Sequence, residues 1–351
     1  MATGLTGTEN AAFRSRMAEL GLSPLWEQYD TSAGPRGGAP PGHVWRWAEL
    51  EPMIELAIRA TGMDGAERRA LTLRPPGANA PGPGVTANLT AAVQVLMPGE
   101  TAPPHRHSMN ALRFVMEGEG AETIVDGKPC PMAPGDLILT PGWTWHAHVH
   151  RGSVAGSGGR MVWLDGLDVP VHAWLGTAAF EPGPPPRYPE LPSDAAFAGA
   201  GLVPETAGAA QPYAPLFRYP WENAARALAL APPAADGVRR LRYTNPLTGG
   251  SALPLIDCFL VGLAGGRTTR PLRSTGSAVC LVVAGAGRTS VGETELAWER
   301  HSIFTLPHGN WISHRAEGAG ATLFMMTDRD LMHRLGLLRD EHRDNPGAAA
   351  N

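Results

Sequence analysis

Short runs in which apolar and polar residues alternate dominate two stretches of the chain. Between residues 86 and 170 they read AAVQVLM, ALRFVMEG, AETIVDG, DLILTP, HAHVH and RMVWLDG. From about 238 onward they read RRLRYT, LIDCFLVG, AVCLVVAG, RTSVG, SIFTLP and ATLFMMT. Alternation with a period of two marks strands, and several short strands punctuated by turns predict a sandwich or barrel. The period lengthens to that of a helix over Ala11–Leu22, Trp221–Leu230 and Asp328–Leu338. The pattern divides the chain into an N-terminal extension (1–85, helical and irregular, with a loop over 75–85) and a first barrel (86–175). A partly helical linker (176–237) opening on the stiff segment EPGPPPR follows, then a second barrel (238–335) and a polar tail (336–351).

The two β-rich segments are related. Val115-x-x-Gly118-x-Gly120 returns as Val282-x-x-Gly285-x-Gly287, Pro141 as Pro307 and Trp145 as Trp311. A duplicated β-barrel explains such a register better than chance. The expected fold class is therefore all-β, two barrels in tandem with a helical extension and a helical linker.

Composition narrows the function classes. Glycine (43) and proline (34) are abundant without a collagen period, as turn-rich β structure requires. No apolar run approaches the roughly 18 residues of a membrane span, and the N-terminus lacks the basic-then-apolar pattern of a signal peptide, so the expected compartment is the cytoplasm. A net charge of −4 without a basic run argues against nucleic acid or an anionic membrane as partner. The three cysteines (Cys130, Cys258, Cys280) are odd in number and far apart, which reads as buried thiols and not a disulfide framework. Lys128, the sole lysine, lies in a turn-like DGKP and is a poor candidate for Schiff-base chemistry.

The chemistry concentrates in histidine. His105 and His107 are two apart on a predicted strand, so both imidazoles enter one face, and His146 stands on a later strand after Pro141. Three imidazoles converging from two strands suit a first-row divalent metal with open positions. In the second repeat Leu272, Ser274 and Ile312 occupy the corresponding places and cannot hold a metal in this way.

The spacing of Gly99, His105, His107 and Gly118, followed by Gly135, Pro141 and His146, resembles the two motifs of the cupin superfamily. Ala111 stands where that superfamily often places a glutamate ligand, which argues for a three-histidine site. A resemblance over nearly the whole chain goes further. HVWRW at 43–47, ERR at 67–69, QVLMPG, PPHRHSMNALRF, GEGAETIVDGKPCPMAPGDLILTPGWTWHAH, VWLDGLDVP, FEPGPP, FRYPW and NPLTGG resemble the gentisate 1,2-dioxygenase family, which includes salicylate and 1-hydroxy-2-naphthoate dioxygenases. That resemblance implies Fe(II) held by His105, His107 and His146. It implies a small aromatic acid and O2 as partners, cleavage of the bond between the carboxyl- and hydroxyl-bearing ring carbons, and a homotetramer.

By position, Arg113 would bind the substrate carboxylate, a task suited to its planar fork. Arg69, Gln94 and Thr90 would line the substrate, His148 would act as acid, base or hydrogen-bond partner, and Asp165 would orient its neighbours. The competing reading of Arg113, Arg69 and Asp165 is a salt bridge inside the barrel, and of His148 a surface-facing strand residue; His150 and His172 read as structural. Where the family commonly carries Leu-Trp this chain has Leu89-Thr90, Ala147 replaces an acid in WTWHAH, and HSMN departs from the commoner form. These changes surround the expected ring pocket and imply a 5-substituted salicylate, such as 5-nitrosalicylate, beside gentisate. A metal-dependent isomerase or decarboxylase, or a binding protein, are the alternatives of another class.

Overall fold

The computed structural model describes residues 6–20, 39–61, 69–76, 84–152, 159–199, 202–205, 212–234 and 236–344. Residues 1–39 form one unit, which contains α1 (Gly7–Glu19), and residues 40–351 form the other. The helix begins earlier than expected because Thr6 and Glu9 make a capping box. Thr6 Oγ1 accepts the Glu9 N–H (3.4 Å) and Glu9 Oε2 accepts the Thr6 N–H (2.9 Å). Residues 21 and 22, the expected end of this helix, lie outside the described residues.

The larger unit starts with β1 (Val44–Trp45) and α2 (Trp47–Ala60). The first barrel runs through β2 (Ala70–Thr72), β3 (Thr90–Leu96), β4 (Thr101–His107), β5 (Ala111–Glu117), β6 (Ala121–Val125), β7 (Lys128–Pro131), β8 (Leu137–Thr140), β9 (His146–His150) and β10 (Met161–Leu167). It ends with α3 (Val169–Leu175) and β11 (Phe180–Pro182). The connection carries β12 (Arg218–Tyr219) and α4 (Trp221–Leu230), the latter with the bounds expected. The second barrel repeats the plan as β13 (Arg239–Arg242), β14 (Asp257–Ala264), β15 (Leu272–Ser274), β16 (Ala278–Ala284), β17 (Gly287–Val291), β18 (Thr294–Trp298), β19 (Ile303–Leu306), β20 (Trp311–Ala316) and β21 (Gly320–Thr327). It closes with α5 (Arg329–Arg334) and β22 (Asp340–His342).

Each barrel is a pair of sheets. The first has the orders β12-β8-β5-β10-β3-β2 and β11-β4-β9-β6-β7; the second has β1-β19-β16-β21-β14-β13 and β18-β17-β20-β15-β22. The segments expected to be extension, linker and tail therefore supply edge strands. β1 pairs with β19 of the second barrel, β2 and β12 flank the first, and β22 pairs with β15. The expected boundaries at 175 and 335 stop short of β11 and β22, because strands of two or three residues carry no alternation to read. Such short pieces cover edges that would otherwise stay open. The terminal helix is also shorter than expected, since Gly336 turns the chain at φ +70°.

Alternation sorts the apolar residues into three layers. Leu96, Val115, Ile138, Met161 and Trp163 fill the first barrel; Cys280, Val282, Trp298, Phe304 and Leu323 fill the second. The opposite faces of the same strands, including Leu112, Phe114, Leu164, Leu260, Leu281 and Phe324, form a core shared by both barrels. There the rings of Phe114 and Phe324 stack at 4.2 Å. Gly166 allows this approach, for a Cβ at that position would meet Met326 Sδ at 2.2 Å.

Candidate metal centre and active site

β4 and β9 are cross-strand neighbours with His105 opposite His146. Together with His107 this places three ligating nitrogens within 4.8 Å of one another. Their orientation is set by the main chain. Nδ1 of His105 faces Pro103 O (3.0 Å), that of His107 faces Met109 O (2.8 Å) and that of His146 faces Thr144 O (3.0 Å). A carbonyl only accepts, so each Nδ1 bears the hydrogen and each Nε2 keeps its lone pair.

Burial holds His107 down at about 4 and His146 well below the usual histidine value, with Arg113 adding to both effects. These are neutral imidazoles at pH 7, the form that binds a metal. His146 Nε2 is buried without a hydrogen-bond partner, a costly state that a metal ion would relieve. The donor set thus fits a divalent metal, and among the described residues the group contains no carboxylate.

The barrel interior beside the histidines holds an ion pair. Arg113 on β5 lies opposite Asp165 on β10. Its Nη1 donates to Thr140 Oγ1 (2.9 Å), while Nε stands 3.5 Å from Asp165 Oδ1 and makes no hydrogen bond. Burial raises the Asp165 carboxyl to about 6, against the opposing pull of Arg113 and of the Trp163 indole N–H that donates to it at 3.0 Å. Burial likewise lowers Arg113, and Asp165 counters it. So the expected salt bridge and the expected carboxylate grip concern the same side chain, which keeps a donor to spare.

His148 is buried, two residues along β9 from His146, with Nδ1 2.9 Å from Thr123 Oγ1. Burial and the Arg113 charge push it well below the usual histidine value. Thr90 and Gln94 share the interior face of β3. Both are buried, Gln94 lies opposite Trp163, and Thr90 Oγ1 has no hydrogen-bond partner. Arg69 is placed differently. Its guanidinium grips Glu100 through both terminal nitrogens (2.6 and 2.8 Å) and donates from Nε to Thr61 Oγ1 (2.6 Å). Glu100 precedes β4 and sits beside His150, at the end of the strand remote from His105. The charged group expected at the substrate is thus committed to a buried pair.

Residues 92–171 match the family model of the cupin domain. The chain is 34% identical to gentisate 1,2 dioxygenase 1 of Aquipseudomonas alcaligenes, over 95% of this chain and 96% of that protein. It is 32% identical to 5-aminosalicylate 1,2-dioxygenase of Comamonas sp, over 97% of this chain and 92% of the other. A solved structure of salicylate 1,2-dioxygenase from Pseudoaminobacter salicylatoxidans as an adduct with gentisate superposes with a TM-score of 0.86 at 32% identity. It covers 98% of this chain and 96% of the other. The chain belongs to the gentisate and salicylate 1,2-dioxygenase family. It is a ring-cleaving dioxygenase built on two cupin barrels, and among the described residues the three-histidine group is found in the first.

Within this dioxygenase the loss in the second barrel is visible residue by residue. Leu272 lies opposite Ile312, repeating the pairing of His105 with His146 without a ligand atom on either residue. The barrel nevertheless keeps a buried histidine and its hydroxyl partner. His314 Nδ1 is 2.8 Å from Thr289 Oγ1, and His148 Nδ1 is 2.9 Å from Thr123 Oγ1. Sequence reasoning missed the Asn110–Asp168 pair, in which Asp168 accepts both the backbone and the side-chain N–H of Asn110 (2.9 and 2.7 Å). The second barrel repeats it through Ser277 N–H and Asp328 (2.7 Å); the repeat register aligns Asn110 with Ser277 but not Asp168 with Asp328, so it signalled only half of the pair.

Proposed function

We propose that this dioxygenase holds one Fe(II) per chain on His105, His107 and His146. It would open the C1–C2 bond of 2-hydroxybenzoates bearing a polar 5-substituent: gentisate, 5-aminosalicylate or 5-nitrosalicylate. One observation carries this reading. Three buried polar atoms on the interior faces of the first barrel's strands lack hydrogen-bond partners: His146 Nε2, Arg113 Nε and Thr90 Oγ1. Buried groups of this kind are rare unless a ligand completes them. They match, in order, a metal, a carboxylate and a ring substituent.

Fe(II), when bound, supplies the open positions at which O2 is activated. The chain's residues do the rest. Arg113 grips the carboxylate and thereby sets the ring's orientation. Asp165 balances the Arg113 charge and keeps its guanidinium from turning away. His148, neutral and buried, offers a hydrogen-bonding nitrogen to the phenol. Ala92 and the Trp163 indole help keep the interior dry.

Cytoplasmic residence fits the three free, buried cysteines, and assembly into a homotetramer is the family expectation, to be measured by light scattering. No helix among the described residues is long and apolar enough to cross a membrane. The deciding experiment is O2 uptake by anaerobically Fe(II)-loaded protein with salicylate, gentisate, 5-aminosalicylate and 5-nitrosalicylate in parallel. Uptake of one O2 per substrate with loss of aromatic absorbance is expected, and fastest with a 5-substituted ring. No uptake from any of the four by iron-loaded protein would overturn the substrate assignment.

A further inference from the structure

Arg106 lies between two of the three candidate ligands but points to the other face of the sheet, since neighbours on a strand alternate. Its Nε and Nη2 donate to Glu181 Oε2 (2.8 and 2.6 Å), and Glu181 is its cross-strand partner on β11. The same guanidinium lies over the rings of Trp145 (4.6 Å) and Trp143 (5.4 Å). Trp145 immediately precedes His146. Gly183 makes room for its indole, for a Cβ there would meet the ring at 2.4 Å.

One side chain therefore ties together β4, which carries His105 and His107, the turn that delivers His146, and β11, whose Phe180 ring stacks on His105 at 5.2 Å. We propose that Arg106 is a positioning residue. Clamped by Glu181 and two indoles behind the sheet, it fixes β4 against β9 and so sets the spacing of the three imidazoles. The inference rests on the metal assignment made above.

The second barrel supplies an internal control. Arg273 pairs with Glu341, its cross-strand partner on β22, and lies over Trp311 at 4.9 Å. This is the same clamp in the barrel whose ligand positions hold Leu272, Ser274 and Ile312. The clamp is thus a property of the barrel, and only in the first does it sit behind metal ligands. Removing either one should loosen an edge strand; removing Arg106 alone should disturb metal binding.

The test uses the full chain, stripped of metal and titrated with Co(II), read by visible absorbance and by competition with a chelator. Arg106→Ala should weaken Co(II) binding on the order of 10-fold, the range seen when residues supporting metal ligands are removed, and should alter the Co(II) spectrum. Arg273→Ala should leave affinity and spectrum unchanged while lowering the melting temperature by a similar amount. Arg106→Lys, which keeps the charge but not the fork, should recover part of the affinity. If Arg106→Ala does not fold, Glu181→Gln carries the same expectation in milder form. Equal effects of the Arg106 and Arg273 variants on affinity, or none from either, would overturn the proposal. Wild-type protein that binds no Co(II) would overturn the metal centre itself, and this inference with it.

Discussion

Replacing Arg113 by Met removes the proposed carboxylate grip while keeping roughly the volume of the buried side chain. The guanidinium is enclosed, held by Thr140 at 2.9 Å, and Asp165 stands 3.5 Å from Nε, leaving that donor without a hydrogen bond. Each hydrogen bond between charged groups contributes about 1.5–3 kcal/mol, so losing a two-point contact costs about 3–4 kcal/mol after water has competed for the site. That corresponds to roughly a 10²–10³-fold loss in kcat/KM.

Stability should change far less. Without Arg113 the Asp165 carboxyl, already raised to about 6, moves higher still and is largely protonated at neutral pH, so no bare charge stays buried. Metal affinity should hold or improve, because Arg113 is a positive neighbour of His107 and His146. The assay is steady-state O2 uptake with gentisate, alongside metal content and melting temperature. Arg113→Lys, retaining charge without the fork, should fall between the two. A metal-replete Arg113→Met enzyme with kcat/KM within about 5-fold of wild type, less than 1 kcal/mol, would refute the assigned role.

Thr90→Val should raise the stability of the metal-free protein by about 1 kcal/mol, by deleting a buried hydroxyl without a partner. It should also cut the preference for 5-substituted over plain salicylate several-fold; an unchanged ratio would remove Thr90 from the pocket. Gly166→Ala drives a methyl into Met326 and should destabilise the chain by about 1–3 kcal/mol in urea. That cost should shrink in a Met326→Ala background; strict additivity would show that the two sites do not touch.

His314 is held at about 4 by burial, against 6.5 when unfolded. Between those values the unfolded chain binds the extra proton, so stability falls as pH drops from 6.5 towards 4 and is flat above 6.5. His314→Gln should remove about 2 kcal/mol of the stability difference between pH 7.5 and pH 5. Urea curves with the same pH dependence as wild type would contradict the assignment.

The histidine triad was legible because its information is local. Strand period and glycine spacing set His105, His107 and His146 on one interior face, and the structure pairs His105 with His146 directly. Asp165 and Arg113 were legible as an ion pair, which the structure shows, and the pair leaves Arg113 Nε without a hydrogen bond. Arg69 was not. Its partner Glu100 lies 31 residues away, and nothing in the period of either segment links them. The edge strands were hidden for another reason. Val44–Trp45 pairs with Ile303 and Phe304 across most of the chain, and two residues make no pattern. The Arg106 clamp was within reach, since the register that aligns Val115 with Val282 also aligns Arg106 with Arg273.

A barrel without ligands remains useful if it stiffens the one that has them. Arg113 and Asp165 face the interior of the first barrel, while their strand neighbours Phe114 and Leu164 face away, into the core shared with Leu281, Phe324 and Met326 of the second. Phe114 stacks on Phe324 at 4.2 Å, and Gly166, next to Asp165, is pressed against Met326. The two strands that present the proposed carboxylate grip are thus backed by side chains from the second barrel. Sites held to sub-ångström tolerance need such packed support behind them. The duplication therefore explains both outcomes. Leu272 and Ile312 on β15 and β20 leave that support intact, because it is the back of that barrel, and not its ligand positions, that packs against β5 and β10.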